Sequence, residues 1–275
     1  MNVGILYFSG TNMTAELAKA IQNEFIQQGI KAELVNLLTH IQNDTTPTID
    51  NYNGVIFGFP VYGGRAPNIV RDWLQKLRGN EKISAMFFTY GGVSMGSAHY
   101  STQSILEEQG FRVIGSAEFL AKHSYNVAPG CNLVPNRPNE DDYQVARDFI
   151  RKLLDKMQQE NPQQISFEAP PERRPKRKGN KKKTKKRRRS PFPFPSREED
   201  CSMCLKCEEE CPTRAFNAQT GEADPDNCIR CMRCVVICPD NVIFMGDMSD
   251  FSQKVRSWRG LTNEKLKQLK SKYFL

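Results

Sequence analysis

Eight of the nine cysteines fall between Cys201 and Cys238, in two stretches of one design, CSMCLKCEEECP and CIRCMRCVVICP. Each reads Cys-x2-Cys-x2-Cys-x3-Cys-Pro, and the second copy starts at Cys228, as the first does at Cys201. Three thiolates spaced by two residues let a short loop wrap one iron–sulfur cube, and the fourth serves the other cube. The spacing assigns Cys201, Cys204, Cys207 and Cys238 to one 4Fe–4S cluster, and Cys228, Cys231, Cys234 and Cys211 to a second. Pro212 and Pro239 then turn the chain away. Zinc and disulfides are the competing chemistries. Structural zinc takes one tetrahedral set of ligands, usually from two Cys-x2-Cys pairs, and a cytosolic setting disfavours a disulfide framework. Lys206, Arg230 and Arg233 lie beside the ligands, where they either offset cluster charge and raise its potential or are simply solvated. Cys131 stands apart and reads as a small buried apolar residue.

A second constellation is hydroxyl-rich. In YFSGTNMTAEL (7–17), Ser9, Thr11 and Thr14 stand where a short apolar run gives way to a helix. Hydroxyl donors and the positive end of a helix together make a phosphate site. An ordinary Ser/Thr helix cap accounts for the same residues without a ligand. The dinucleotide glycine pattern and the P-loop lysine are absent. Two further loops, GFPVYGGRAP (58–67) and TYGGVSMGSAH (89–99), follow apolar runs and set Tyr62 and Tyr90 beside glycine pairs. Glycine pairs let a backbone approach a ligand closely. His40, His99 and His123 form no metal pattern.

The elements that must position these loops alternate. Residues 3–8, 32–37, 54–60, 83–90 and 112–120 read as strands, too short and too apolar for helices. Residues 13–28, 68–77, 97–110 and 140–159 read as helices. The first carries Leu17, Ile21 and Phe25 on one face and stops at Gly29. The last has acids at its start and bases at its end, as the helix dipole prefers. Five strands interleaved with helices predict an α/β domain over residues 1–160, a parallel sheet covered on both faces. The three loops then lie at carboxyl ends of strands, where open α/β sheets bind ligands.

From 161 to 197 the pattern disappears into a basic, proline-containing linker. Residues 172–190 hold thirteen Lys or Arg against one Glu, a local charge of +12. The whole chain carries +8, so the remainder carries 8 − 12 = −4. The basic character belongs to one segment. It has no aromatic residue to stack on bases between Lys176 and Arg189. The cysteine unit occupies 198–247. The tail, 248–275, reads as helical from Leu266, Leu269 and Tyr273, with Thr262 as its cap. No apolar run approaches a membrane span, and the N-terminus shows no signal peptide, so the expectation is a cytoplasmic protein with no membrane partner.

The cysteine unit resembles the bacterial two-cluster ferredoxins over about fifty residues. The three loops resemble those of flavodoxins, and that resemblance covers residues 1–160. It implies a doubly wound five-stranded parallel sheet followed by a small α+β ferredoxin domain. It also implies FMN, with Ser9, Gly10, Thr11, Asn12, Met13 and Thr14 around the phosphate. Pro60, Val61, Tyr62 and Gly63, with Tyr90, Gly91 and Gly92, would sandwich and hydrogen-bond the ring. Such families usually show Gly-Asn where this chain has Asn12-Met13, although Asn tolerates the left-handed region best after glycine. The fusion as a whole implies electron transfer between FMN, two clusters and an external redox partner. The segment 173–189 is then a spacer or a guide for an acidic carrier. Two other readings stay open: a flavin-dependent reductase with its own small substrate, and a nucleic-acid-binding protein with structural clusters, its basic run on phosphates.

Overall fold

The computed structural model describes residues 1–171 and 192–275; the basic run of 173–189 lies outside them. The chain opens with β1 (Asn2–Tyr7), α1 (Met13–Gln27), β2 (Lys31–Asn36) and a short α2 (Leu38–Gln42) that its sequence did not signal. Then follow β3 (Gly54–Pro60), α3 (Asn68–Leu74), β4 (Ile83–Tyr90), α4 (Ala98–Glu108), β5 (Arg112–Leu120) and α5 (Glu140–Met157). β3 is buried along its whole length, as an apolar run without alternation requires. The parallel order is β2-β1-β3-β4-β5. This is the flavodoxin-like doubly wound order, whose strand direction of growth reverses between β1 and β3.

Side-chain alternation sorts the sheet's two faces. Val55 and Phe57 join Val70, Trp73, Leu74 and Leu106, which brings α3 and α4 onto one face. Ile56 and Phe87 join Leu17, Ile21, Phe25, Phe149 and Leu153, which brings α1 and α5 onto the other. α5 starts at a full capping box, in which Asn139 and Asp142 satisfy each other's backbone donors. Asp142 is buried and also holds Arg137 and Ser271.

The cysteine unit is a small α+β domain, with β6 (Ser196–Arg197), α6 (Lys206–Glu209), β7 (Phe216–Asn217), β8 (Glu222–Ala223), α7 (Arg233–Ile237) and β9 (Ile243–Phe244). Its antiparallel sheet runs β7-β8-β6-β9. The tail departs from an all-helical reading. It folds as α8 (Ser249–Arg259), α9 (Asn263–Gln268) and β10 (Lys272–Phe274). Thr262 does cap α9, accepting from Lys265 N–H at 3.2 Å. Tyr273, however, belongs to β10, which pairs antiparallel with β5 and adds a sixth strand to the five parallel ones. The added strand covers an otherwise open sheet edge.

The ends of the expected linker are also packed. Ile165 N–H donates to Val113 C=O at 3.0 Å, and Phe167 stacks on the ring of His99 with centroids 4.6 Å apart. At the far end Phe192 meets Phe251 edge-on, and the Arg230 guanidinium lies 3.6 Å over the Phe194 ring. Apolar residues in a polar stretch gain more by burial than a free spacer would.

The two domains share a core. Leu120, Ala128, Leu133 and Val134 of the α/β domain pack with Met232 and Met245 of the cysteine unit and Met248 and Leu266 of the tail. Met248 N–H donates to Pro129 C=O at 2.8 Å, and Gln42 Nε2 donates to the carbonyls of Glu209 and Cys211 at 2.6 and 3.0 Å.

Candidate functional site

The eight clustered cysteines gather in two separate cavities. One is lined by Cys201, Cys204, Cys207 and Cys238; the other by Cys211, Cys228, Cys231 and Cys234. These are the two quartets that the crossed spacing predicts, and all nine cysteines are free thiols. The loops that frame them repeat in backbone as well as in sequence. Met203 and Leu205 have φ of 55° and 60°, and their counterparts Arg230 and Met232 have 52° and 61°. Left-handed residues other than glycine cost energy, but alternating them with right-handed ones turns successive N–H groups inward as an anion-binding nest. Arg230 N–H donates to Cys228 Sγ at 3.4 Å, and Ala215 N–H to Cys211 Sγ at 3.2 Å. Arg197 Nη1 donates to Cys201 Sγ at 3.0 Å.

Three thiols of this second quartet, Cys228, Cys231 and Cys234, resist ionising by themselves. Burial, then the neighbouring Cys211 and Cys228, push the Cys231 thiol up to about 12. Cys234 is raised further, by burial and then by Cys231, Cys228 and Cys211. Thiols raised in this way by burial and by one another become thiolates when bound cations offset the charge. The donor set therefore fits an iron–sulfur cube, which binds as a charged unit to thiolates and N–H groups together.

Beside this quartet lies a third cavity, lined by all three loops singled out in the sequence. Ser9, Gly10, Thr11, Met13 and Thr14 line it from the first loop, Pro60, Val61 and Tyr62 from the second, Tyr90 and Gly91 from the third. Asn12, Gly63 and Gly92 do not. Asn12 has φ 66° and caps nothing with its side chain. Gly63 sits at the exposed tip of the turn closed by Tyr62 N–H to Arg65 C=O, and Gly92 faces Val134 and Leu269. Ser9 Oγ accepts from Ala15 N–H at 3.3 Å, as a helix cap does, and keeps its own proton free for another acceptor. Thr14 and Thr89 hydroxyls lie 2.7 Å apart and join the first loop to the third.

The chain after β5 completes the cavity with Ala121, Lys122, His123 and Ser124. The sequence singles out His123 among these only as a histidine outside any metal pattern, although the rule that ligands bind at carboxyl ends of strands applies to β5 as to its neighbours. His123 rests on Gly91, where a Cβ would stand 2.3 Å from the imidazole ring. Burial holds His123 down to about 4, so the ring is neutral at pH 7. Its Nδ1 accepts from Tyr125 N–H at 3.1 Å, which leaves the ring proton on Nε2.

The cavity touches the quartet of Cys211, Cys228, Cys231 and Cys234, the inner of the two; that of Cys201, Cys204, Cys207 and Cys238 is the outer. A Cβ on Gly10 would lie 2.5 Å from the Cys231 carbonyl oxygen and 2.6 Å from the Tyr62 hydroxyl, so only glycine lets these backbones meet. Burial, then Cys231 and Tyr125, raise the Tyr62 hydroxyl well above its usual value. Burial, then Glu118, push Tyr90 up to about 12. Both phenols stay neutral hydrogen-bonding groups at pH 7.

Comparison with known proteins divides the chain in the same way. Residues 222–243 match a family described as a 4Fe-4S binding domain. An uncharacterized protein of Methanocaldococcus jannaschii is 29% identical over 147 residues, which cover 51% of this chain and 89% of that protein. A putative diflavin flavoprotein A 4 of Nostoc sp. is 28% identical over 116 residues, 41% of this chain but 20% of that protein. Among solved structures, a flavodoxin from the domain Archaea aligns with a TM-score of 0.43 and 16% identity, over 58% of this chain and all of the flavodoxin. With its strand order and its cysteine repeat, the chain is a fusion of a flavodoxin-like domain with a ferredoxin-type 4Fe–4S domain. Among the described residues no helix is long and apolar enough to cross a membrane.

Proposed function

We propose that the protein is an iron–sulfur flavoprotein that passes electrons between FMN, two 4Fe–4S clusters and an external redox partner. FMN would occupy the three-loop cavity, and the two cysteine cavities would each hold one cluster. A flavin exchanges one or two electrons and a cluster one, so the pair joins one-electron to two-electron carriers. The observation that carries this reading is the Gly10–Cys231 contact, which puts the phosphate-type loop against the backbone of a cluster ligand.

The chain's own residues have distinct parts in it. The helix start after Asn12, with Ser9 and Thr11, would bind the phosphate. Tyr62, Tyr90 and His123 would hold the ring, His123 donating from Nε2. Met232, Met245 and Leu133 pack in one buried core that joins the two domains. The partner would be a separate electron carrier. Residues 198–247 contain eleven Asp or Glu against four Lys or Arg. An acidic carrier would be repelled there and would depend on the basic 173–189 segment for its approach.

Protein purified without oxygen should contain about eight iron, about eight sulfide and one FMN per chain. When the clusters are reduced anaerobically, the flavin absorbance at 450 nm (roughly, for bound flavin) should bleach. Zinc in place of iron, or a flavin spectrum that never changes, would sink the reading.

A further inference from the structure

Arg233 is the residue that the cysteine repeat offers twice over, with Lys206 as its counterpart in the first copy. Its two ends hold different sites. Its backbone opens α7, two residues after Cys231. Its side chain, only 16% exposed, reaches across the domain boundary. There Nη1 donates to Asn12 Oδ1 at 2.8 Å, and Nη2 pairs with Glu210, the neighbour of the ligand Cys211. Its Nε is buried with no partner. Asn12, for its part, stands at the left-handed N-cap of α1 and spends its side chain on Arg233 rather than on its own helix. One arginine thus fixes the position of the phosphate-type loop relative to two ligands of the inner quartet.

We propose that Arg233 is a positioning residue that couples the two sites, so that FMN binding and retention of the inner cluster strengthen each other. The proposal rests on the FMN reading above. A phosphate that orders the Ser9–Thr14 loop also fixes Asn12. Asn12 then holds Arg233, and Arg233 holds the Cys231 and Cys211 segments around their cluster. Linkage is reciprocal, so whatever factor FMN adds to cluster retention, the cluster adds to FMN affinity. Riboflavin lacks the phosphate and should produce little of the effect.

The test uses full-length holoprotein from which flavin has been removed. FMN or riboflavin is titrated back and followed by quenching of flavin fluorescence, and iron release to a chelator is timed with each flavin present. FMN should slow release of the inner cluster's iron about tenfold, a typical coupling between two sites, while riboflavin leaves it nearly unchanged. Arg233→Gln and Asn12→Gly should each abolish the FMN-dependent slowing, and the double variant should lose no more than either alone. Arg233→Lys should restore part of it. Asn12→Gly keeps the left-handed turn, which glycine adopts freely, and so tests the link even if Arg233→Gln folds poorly. FMN that binds without changing iron release, or slowing that survives Asn12→Gly and Arg233→Gln, overturns the coupling alone. Failure to bind any FMN overturns the flavin reading and the coupling with it.

Discussion

The loops 201–207 and 228–234 share a spacing, a pair of left-handed residues and a following helical turn, yet they lie in different surroundings. Cys204 and Leu205 are exposed, Leu205 by 42%. Their counterparts Cys231 and Met232 are buried, Met232 to 1%, in the core that joins the two domains. Local spacing decides what a loop can hold. What covers the loop decides what it can exchange electrons with. The inner quartet lies against the three-loop cavity, and the outer one is open to solvent.

The sharpest way to break this asymmetry is to remove one ligand from each loop. Cys231→Ser and Cys204→Ser should each lower iron by about four per chain, since each cube holds four. Only Cys231→Ser should also weaken FMN retention, because its loop supports Gly10 and Tyr62. Only Cys204→Ser should leave flavin and remaining cluster in equilibrium while exchange with an added carrier stops. Iron content, flavin content and anaerobic reduction kinetics distinguish the two. Equal flavin loss in both variants would erase the distinction between inner and outer loops.

The residues between the ligands give a smaller contrast. Met232→Ala opens a void in the shared core and should cost about 2–5 kcal/mol. Leu205→Ala, at the same place in the first copy, removes an exposed side chain and should stay within about 0.5 kcal/mol. Anaerobic urea titration of the holoproteins measures both. Equal losses would mean that Met232 is not part of a packed domain boundary.

Met232 also marks the limit of what the sequence conveys. The grouping of the cysteines into two sets and the gathering of the three loops were legible because each depends on local spacing or on a loop following a buried strand. Leu205 and Met232 are near-equivalent as letters, and nothing local says which is covered. The covering residues, Leu133, Val134 and Leu266, come from segments distant in the chain. β10 escaped for a related reason. Three residues carry too little pattern, and their strand form depends on pairing with the edge of β5. Ile165 and Phe167 read as linker because their partners, Val113 and His99, lie far back in the chain. His123 was in view as a histidine, but its role as a wall of the cavity depends on Gly91, which only the fold brings beneath it.

His123 supplies the smallest effect and a pH test of the same asymmetry. Its ring lies between Gly91, Tyr125 and Phe251, on the inner side of the domain boundary and away from the outer quartet. Its pKa falls from the usual 6.5 to about 4 in the folded state because burial disfavours the imidazolium. Below pH 6.5 the unfolded chain therefore binds a proton that the folded chain refuses. Stability is fully present above that pH, falls as the pH drops, and stops falling near pH 4. Between pH 6.5 and 5 the loss should approach about 2 kcal/mol. His123→Phe keeps a ring on Gly91, gives up the acceptor for Tyr125 N–H, and should flatten the slope in that window while lowering stability at pH 7. The acid-induced loosening should begin at the flavodoxin-like side of the boundary, visible as earlier release of flavin than of the outer cluster's iron. Simultaneous release, or an unchanged slope in His123→Phe, would show that acid acts on the two loops alike.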